Sequence, residues 1–249
     1  MSGSHQYTDS NVPSLEALGD SALILRFGDR LDVRINTQVH RAAALLAAAN
    51  VAGVRGIVPA YASLTVHYDP AVLPHDYPAQ IDISPFARIG KHLLALLQDS
   101  RDKTLQTTRR IEIPVCYGAE FGPDLAAVAS HAGVSESDVI ALHSAATYRV
   151  AMLGFAPGFP YLFGLNKSLH LPRRPVPRTH VPAGSVAIGG QQTGIYPGEL
   201  PGGWHLIGRM PLRLFDADRI PPALLAPGDE VHFIAIDADE FKRRQASET

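Results

Sequence analysis

Hydrophobic positions change their spacing several times along the chain. The run Leu18–Phe27 is apolar over a strand's length and is closed by Gly28–Asp29, so it predicts a first strand. Asp32 can then cap a helix whose Ile35, Val39, Ala43 and Leu46 recur at helical spacing, with Gly53 beyond its end. Residues 54–58 and 63–68 read as two short strands around Pro59–Ala60. Ser84–Pro85 opens a second helix carrying Phe86, Ile89, Leu93 and Leu97 on one face. The order strand, helix, strand, strand, helix predicts a ferredoxin-like α/β domain over residues 12–100.

Between Gln98 and Arg109 the chain is polar and carries little that is apolar, which places a domain boundary there. The texture then changes. Arg110–Cys116 alternates as a strand, Pro123–Asp124 opens a helix ending at Gly133, and Ser135–Glu136–Ser137–Asp138 reads as a capping box for another helix with Val139, Leu142, His143 and Ala146 inward. Tyr148–Leu153 returns to strand, and short strands are predicted at residues 185–188, 204–207, 212–215 and 231–236, before a charged helical tail from Asp237. Many short strands and two helices predict a β-barrel or sandwich over residues 106–240, making the chain α+β as a whole.

Composition mostly excludes. A net charge of -2 leaves no basic field for nucleic acid or an anionic membrane surface, so any anion site is local. The single Cys116 excludes a disulfide framework and fits a reducing compartment, with the cytoplasm as the default. No apolar run reaches the roughly 18 residues a membrane span needs, and residues 1–11 are polar. No P-loop is present, because Gly189–Gly190–Gln191–Gln192–Thr193–Gly194 lacks the lysine. The sequence around Ser185 lacks the second framing glycine of a nucleophile elbow. The 11 histidines show no close ligand spacing, so no metal site is expected. Cys116 reads as a small buried hydrophobe or a nucleophile, and His143 as a core histidine or a general base, the one candidate catalytic residue.

One segment stands apart. Residues 154–203 hold 18 of the 41 Gly and Pro residues, with Lys167, Arg173, Arg174 and Arg178 set against a single acid, Glu199. Phe155, Pro157, Phe159, Tyr161 and Trp204 lie among or beside these breakers and are expected to line a pocket or an interface. The alternative is a structural loop filling a barrel mouth. Arg173, Arg174 and Arg178 flank a proline-stiffened stretch, and a guanidinium can grip a carboxylate or phosphate with two parallel hydrogen bonds. A solvated basic loop would look the same in sequence.

The stretches Gly154–Leu162, Pro177–Val186, Gly190–Pro197 and Pro201–Arg209 resemble the signature of the Kip inhibitor/allophanate hydrolase subunit 1 family, and weaker matches extend the resemblance from about Leu18 to Phe233. The resemblance implies an N-terminal α/β domain and a C-terminal cyclophilin-like β-barrel of carboxyltransferase type. It also implies partners: a homologous barrel subunit and a third subunit, which together with this chain open the lactam of 5-oxo-L-proline to L-glutamate at the expense of ATP. The ATP is not expected to be held by this chain alone. Arg178 is then expected to bind the substrate carboxylate, with Gln191, Gln192, Thr193 and Tyr196 orienting the lactam. Two other roles occur within the resemblance, an inhibitor of a sensor histidine kinase and a subunit of an allophanate hydrolase or urea carboxylase.

Overall fold

The computed structural model describes residues 12–73, 84–99 and 108–247. Most of the polar stretch expected to link the domains, residues 100–107, lies outside them. The chain divides into two compact units between Gln106 and Thr107.

The first unit opens with a hairpin, β1 (Ser14–Ala17) and β2 (Ala22–Arg26), followed by α1 (Val33–Ala49), β3 (Val54–Pro59), β4 (Ser63–Tyr68) and α2 (Pro85–Asp99). The expected strand at residues 18–27 is thus the second arm of a hairpin, because Gly19 turns the chain in the left-handed region (φ 66°). The sheet is antiparallel in the order β1-β2-β4-β3. Asp32 caps α1 as expected, accepting from the amides of Arg34 at 2.7 Å and Ile35 at 3.3 Å. The buried face of α1 carries Asn36, Val39, Ala42 and Leu46. Asn36 replaces the expected Ile35 there because its amide nitrogen donates to the carbonyls of Ala60 and Tyr61, pinning the β3–β4 turn. Leu23, Leu25, Leu64, Val66, Ile89 and Leu93 complete this core.

The second unit is a closed seven-stranded barrel. Its elements are β5 (Arg110–Tyr117), α3 (Leu125–Ala132), α4 (Glu136–Ser144), β6 (Tyr148–Leu153), β7 (Pro160–Phe163), β8 (Arg178–Val181), β9 (Ser185–Gly189), β10 (Gln192–Ile195), β11 (Leu200–Gly202), β12 (His205–Arg209), β13 (Glu230–Ile236) and α5 (Ala238–Ser247). The barrel order is β10-β7-β6-β13-β5-β12-β9, closed by β9 against β10, while β8 and β11 form a separate two-stranded ribbon. The first and last barrel strands, β5 and β13, lie parallel from Glu230↔Arg110 to Ile236↔Cys116, so the two ends of the unit are tied together. Ser135 and Asp138 form the expected capping box on α4. The expected strand at residues 212–215 is absent: Leu214 is buried, but the segment is irregular and joined only by a bridge between Phe215 and Ala223. Among the described residues no helix is long and apolar enough to cross a membrane.

Candidate functional site

The structure separates the expected site residues into the barrel interior and the barrel rim. His143 belongs to the interior. Its side chain is 0% exposed, stacked on Phe233 with ring centroids 4.6 Å apart, and both ring nitrogens are engaged. Thr193 donates its one hydroxyl hydrogen to the Ala187 carbonyl at 3.0 Å, so His143 Nε2 must donate to Thr193 Oγ1 at 3.1 Å. Nδ1 is then bare and accepts from the Tyr117 hydroxyl at 2.8 Å. This relay ties α4, β5, β9 and β10 together. Burial lowers the His143 pKa to about 3 and pushes the Tyr117 phenol well up, so both are neutral at ordinary pH. A histidine without solvent access whose nitrogens are both occupied is a core residue. The general-base role expected as one alternative for His143 is therefore not what its geometry offers.

The five expected lactam-binding residues do not share one place. Thr193 is sealed in the relay just described, and Gln192 beside it is buried in β10. Gln191 is exposed in the two-residue turn between β9 and β10, whereas Tyr196 follows the opposite end of β10, so a strand of roughly 3.3 Å per residue separates them. Tyr196 is buried and its hydroxyl meets the backbone amide of Trp204; burial raises its pKa. Cys116 is buried as well, and burial pushes its thiol up, which leaves it unreactive.

Arg178 is already paired. Its guanidinium donates from Nη1 to Asp124 Oδ2 at 2.8 Å and from Nη2 to Oδ1 at 2.9 Å, a two-pronged ion pair. Arg174 Nη1 donates to the same Oδ1 at 2.9 Å, and the Leu206 amide to Oδ2 at 2.8 Å. Burial alone would raise the Asp124 pKa, but the Arg178 fork, the Leu206 amide and Arg174 together hold it below the usual carboxylate range. Asp124 stands just before α3, as the sequence suggested, yet its side chain makes no cap hydrogen bond and serves the arginines instead. Its part was hidden because the four cations of residues 154–203 have only Glu199 within that window; the acid that neutralises two of them lies some thirty residues upstream of it.

The aromatic residues do assemble. Phe159 sits at the centre with ring centroids 5.3 Å from Phe155, 4.9 Å from Tyr161, 5.2 Å from Tyr196 and 5.8 Å from Trp204. With Val181, Ala187 and Leu206, all of them but Phe155 form a small core of their own at the barrel rim beside β8 and β11. The glycines of this segment seat the rings. A Cβ on Gly189 would lie 2.6 Å from the Trp204 indole, and one on Gly202 would lie 2.1 Å from the Tyr196 hydroxyl. Arg173 lies over Trp204, its guanidinium carbon 5.8 Å from the ring centroid. Phe155 and Pro157 stand at the exposed edge of the group.

The whole chain bears on the comparison with known proteins. A model of the carboxyltransferase domain, subdomain C and D, matches residues 13–225. The chain belongs to this family. It is 44% identical over 227 residues, 91% of its own length and 94% of the relative's, to a 5-oxoprolinase subunit of Bacillus subtilis (strain 168). The crystal structure of TTHA0988 is similar with a TM-score of 0.73 and 40% identity over 88% of the chain, and the chain spans 40% of that protein's length. The Kluyveromyces lactis urea amidolyase shares the fold, with a TM-score of 0.75 at 19% identity over 98% of this chain and 16% of that one. Among the described residues no three His, Cys, Asp or Glu side chains converge as metal ligands.

Proposed function

We propose that this protein is a subunit of an ATP-dependent 5-oxoprolinase, a cytoplasmic complex in which it acts with a homologous barrel subunit and a third subunit to open 5-oxo-L-proline to L-glutamate. The observation that carries the reading is the likeness to the 5-oxoprolinase subunit of Bacillus subtilis over nearly the full length of both chains. In the same reading the barrel is cyclophilin-like. The first unit is ferredoxin-like, supported by the β2-β4-β3 order with α1 and α2, and β1 takes the remaining edge of its sheet.

An unstrained lactam resists hydrolysis at neutral pH. Transfer of the γ-phosphoryl group of ATP to the carbonyl oxygen releases ADP and opens the ring carbon to water; the ring nitrogen then leaves as the amine, giving an acyl phosphate, and a second water cleaves that to glutamate and phosphate. The glycine-rich turn at residues 189–194 does not make a phosphate cradle for that ATP. Backbone pairing between β9 and β10 consumes amides of the glycine-rich turn, and Gly190 exchanges hydrogen bonds with Leu171. In this proposal ATP is therefore held by another subunit, and Arg178 supports the barrel rim through Asp124 rather than holding the substrate carboxylate by itself.

The test is reconstitution. ATP hydrolysis by the complex assembled with purified partner subunits is expected to depend on 5-oxoproline and to release glutamate. A complex that forms but hydrolyses ATP at the same rate with and without 5-oxoproline, releasing no glutamate, overturns the reading.

A further inference from the structure

Two features of the rim have no role in holding the barrel together. Of the three arginines in the stretch 173–178, Arg174 and Arg178 are neutralised by Asp124, whereas Arg173 is exposed and no carboxylate among the described residues pairs with it. The second feature is Phe155. It is 61% exposed although its ring makes T-shaped contacts with Phe159 and Tyr196, and its φ of 69° lies in the left-handed region. The Ala156 amide donates to the Gly154 carbonyl at 2.8 Å across it, which makes Phe155 the centre of a γ-turn. Such a turn is strained for a residue with a bulky side chain, at a cost of about 1–3 kcal/mol. Burial of the ring does not offset the strain in the isolated chain.

We infer that Phe155 and Arg173 form the docking surface for a partner protein subunit, one that offers an apolar recess to the Phe155 ring and a carboxylate to the Arg173 guanidinium. This rests on the reading of the chain as one subunit of a complex. Charge complementarity selects an acidic partner surface: once Asp124 has neutralised its two arginines, Arg173 remains unmatched, and Glu199 is already beside His180. Projection selects a protein over a small molecule. Phe155 and Val176, the latter 72% exposed between Pro175 and Pro177, stand out from the surface, and large exposed apolar groups accompanied by charge mark protein contacts. Trp204 and the proline-stiffened stretch hold Arg173 in place, so little side-chain freedom is lost on docking.

The experiment measures the affinity of the full chain for the purified partner subunits by calorimetry, with Phe155→Ser, Arg173→Glu and, as a control on the first unit, Val58→Ser. The first two variants are expected to bind at least about tenfold more weakly, while their thermal unfolding stays that of the wild type and the control binds normally. Wild-type affinity should fall as salt is raised, and Arg173→Gln should flatten that dependence. Unchanged affinity in both variants overturns the inference. So does a complex that assembles normally with Arg173→Gln but has a raised KM for 5-oxoproline, since the arginine would then be reading substrate. If the wild-type chain binds no partner subunit at all, both the inference and the multi-subunit reading beneath it fail; if it binds but 5-oxoproline is not turned over, only the assigned reaction fails.

Discussion

The interior of the barrel around His143 and its rim around Trp204 hold the same kinds of residue and treat them in opposite ways. Inside, Tyr117, His143 and Thr193 commit their polar hydrogens to one relay, in which His143 and Thr193 meet no solvent. At the rim Asp124 neutralises two arginines and leaves a third over the indole of an aromatic cluster whose edge is a strained and exposed phenylalanine. Residue types that could do chemistry therefore say little by themselves. What distinguishes the rim is the polar and apolar capacity left over after the fold has been satisfied.

The largest expected effect lies where the rim is built like the interior. Asp124→Ala leaves two guanidinium groups against buried backbone with no counter-charge, and urea unfolding of the second unit should show a loss of about 3–4 kcal/mol. Removing the same residue's charge by acid acts in the same direction: its pKa is lowered in the fold, so its contribution is present above the ordinary carboxylate range and is lost as pH falls through the lowered value. A loss under about 1 kcal/mol in Asp124→Ala would place the arginines in solvent. Gly189→Ala comes next. The added methyl would meet Trp204 2.6 Å away and displace the indole, with an expected cost of about 2 kcal/mol and a shifted Trp emission spectrum, since the protein has a single Trp.

The interior is sharpened by pH. His143 has a folded pKa of about 3 and an unfolded one near 6.5, so the unfolded chain binds the proton first and stability falls as pH drops through that window. Between pH 7 and pH 5 the loss owed to His143 is about 2 kcal/mol. His143→Gln should lower stability at pH 7 yet flatten the slope, and an unchanged slope would mean that the histidine titrates alike in the folded and unfolded chain. The smallest effect is expected at the turn. Phe155→Gly relieves the left-handed strain and gives up partial ring contacts, so its unfolding free energy should stay within about 1 kcal/mol of the wild type.

The same contrast explains what could be read from the chain. Helices with explicit caps were legible, because Asp32 and the Ser135/Asp138 box act within a few residues of themselves. So were β5, β6 and β13, each long enough for a pattern to show. The strands β7, β8, β10 and β11 were not. They are three or four residues long, and the glycines and prolines around them read as breakers although Gly189 and Gly202 are there to seat rings. Leu212 and Leu214 misled in the other direction, since alternating apolar residues were sunk into the core by an irregular loop. The aromatic members of the rim could be picked out from composition. Asp124 could not, because ion pairs between distant segments leave no local signal.

Hydrogen exchange of the full chain, alone and with its partner subunits bound, tests the docking surface most directly. The account predicts new protection in peptides covering residues 154–158 and 172–177, while those covering β9 and β10 are slow in both states. Protection confined to other surfaces, with the Phe155 and Arg173 peptides exchanging as fast in the complex as in the free chain, would contradict it.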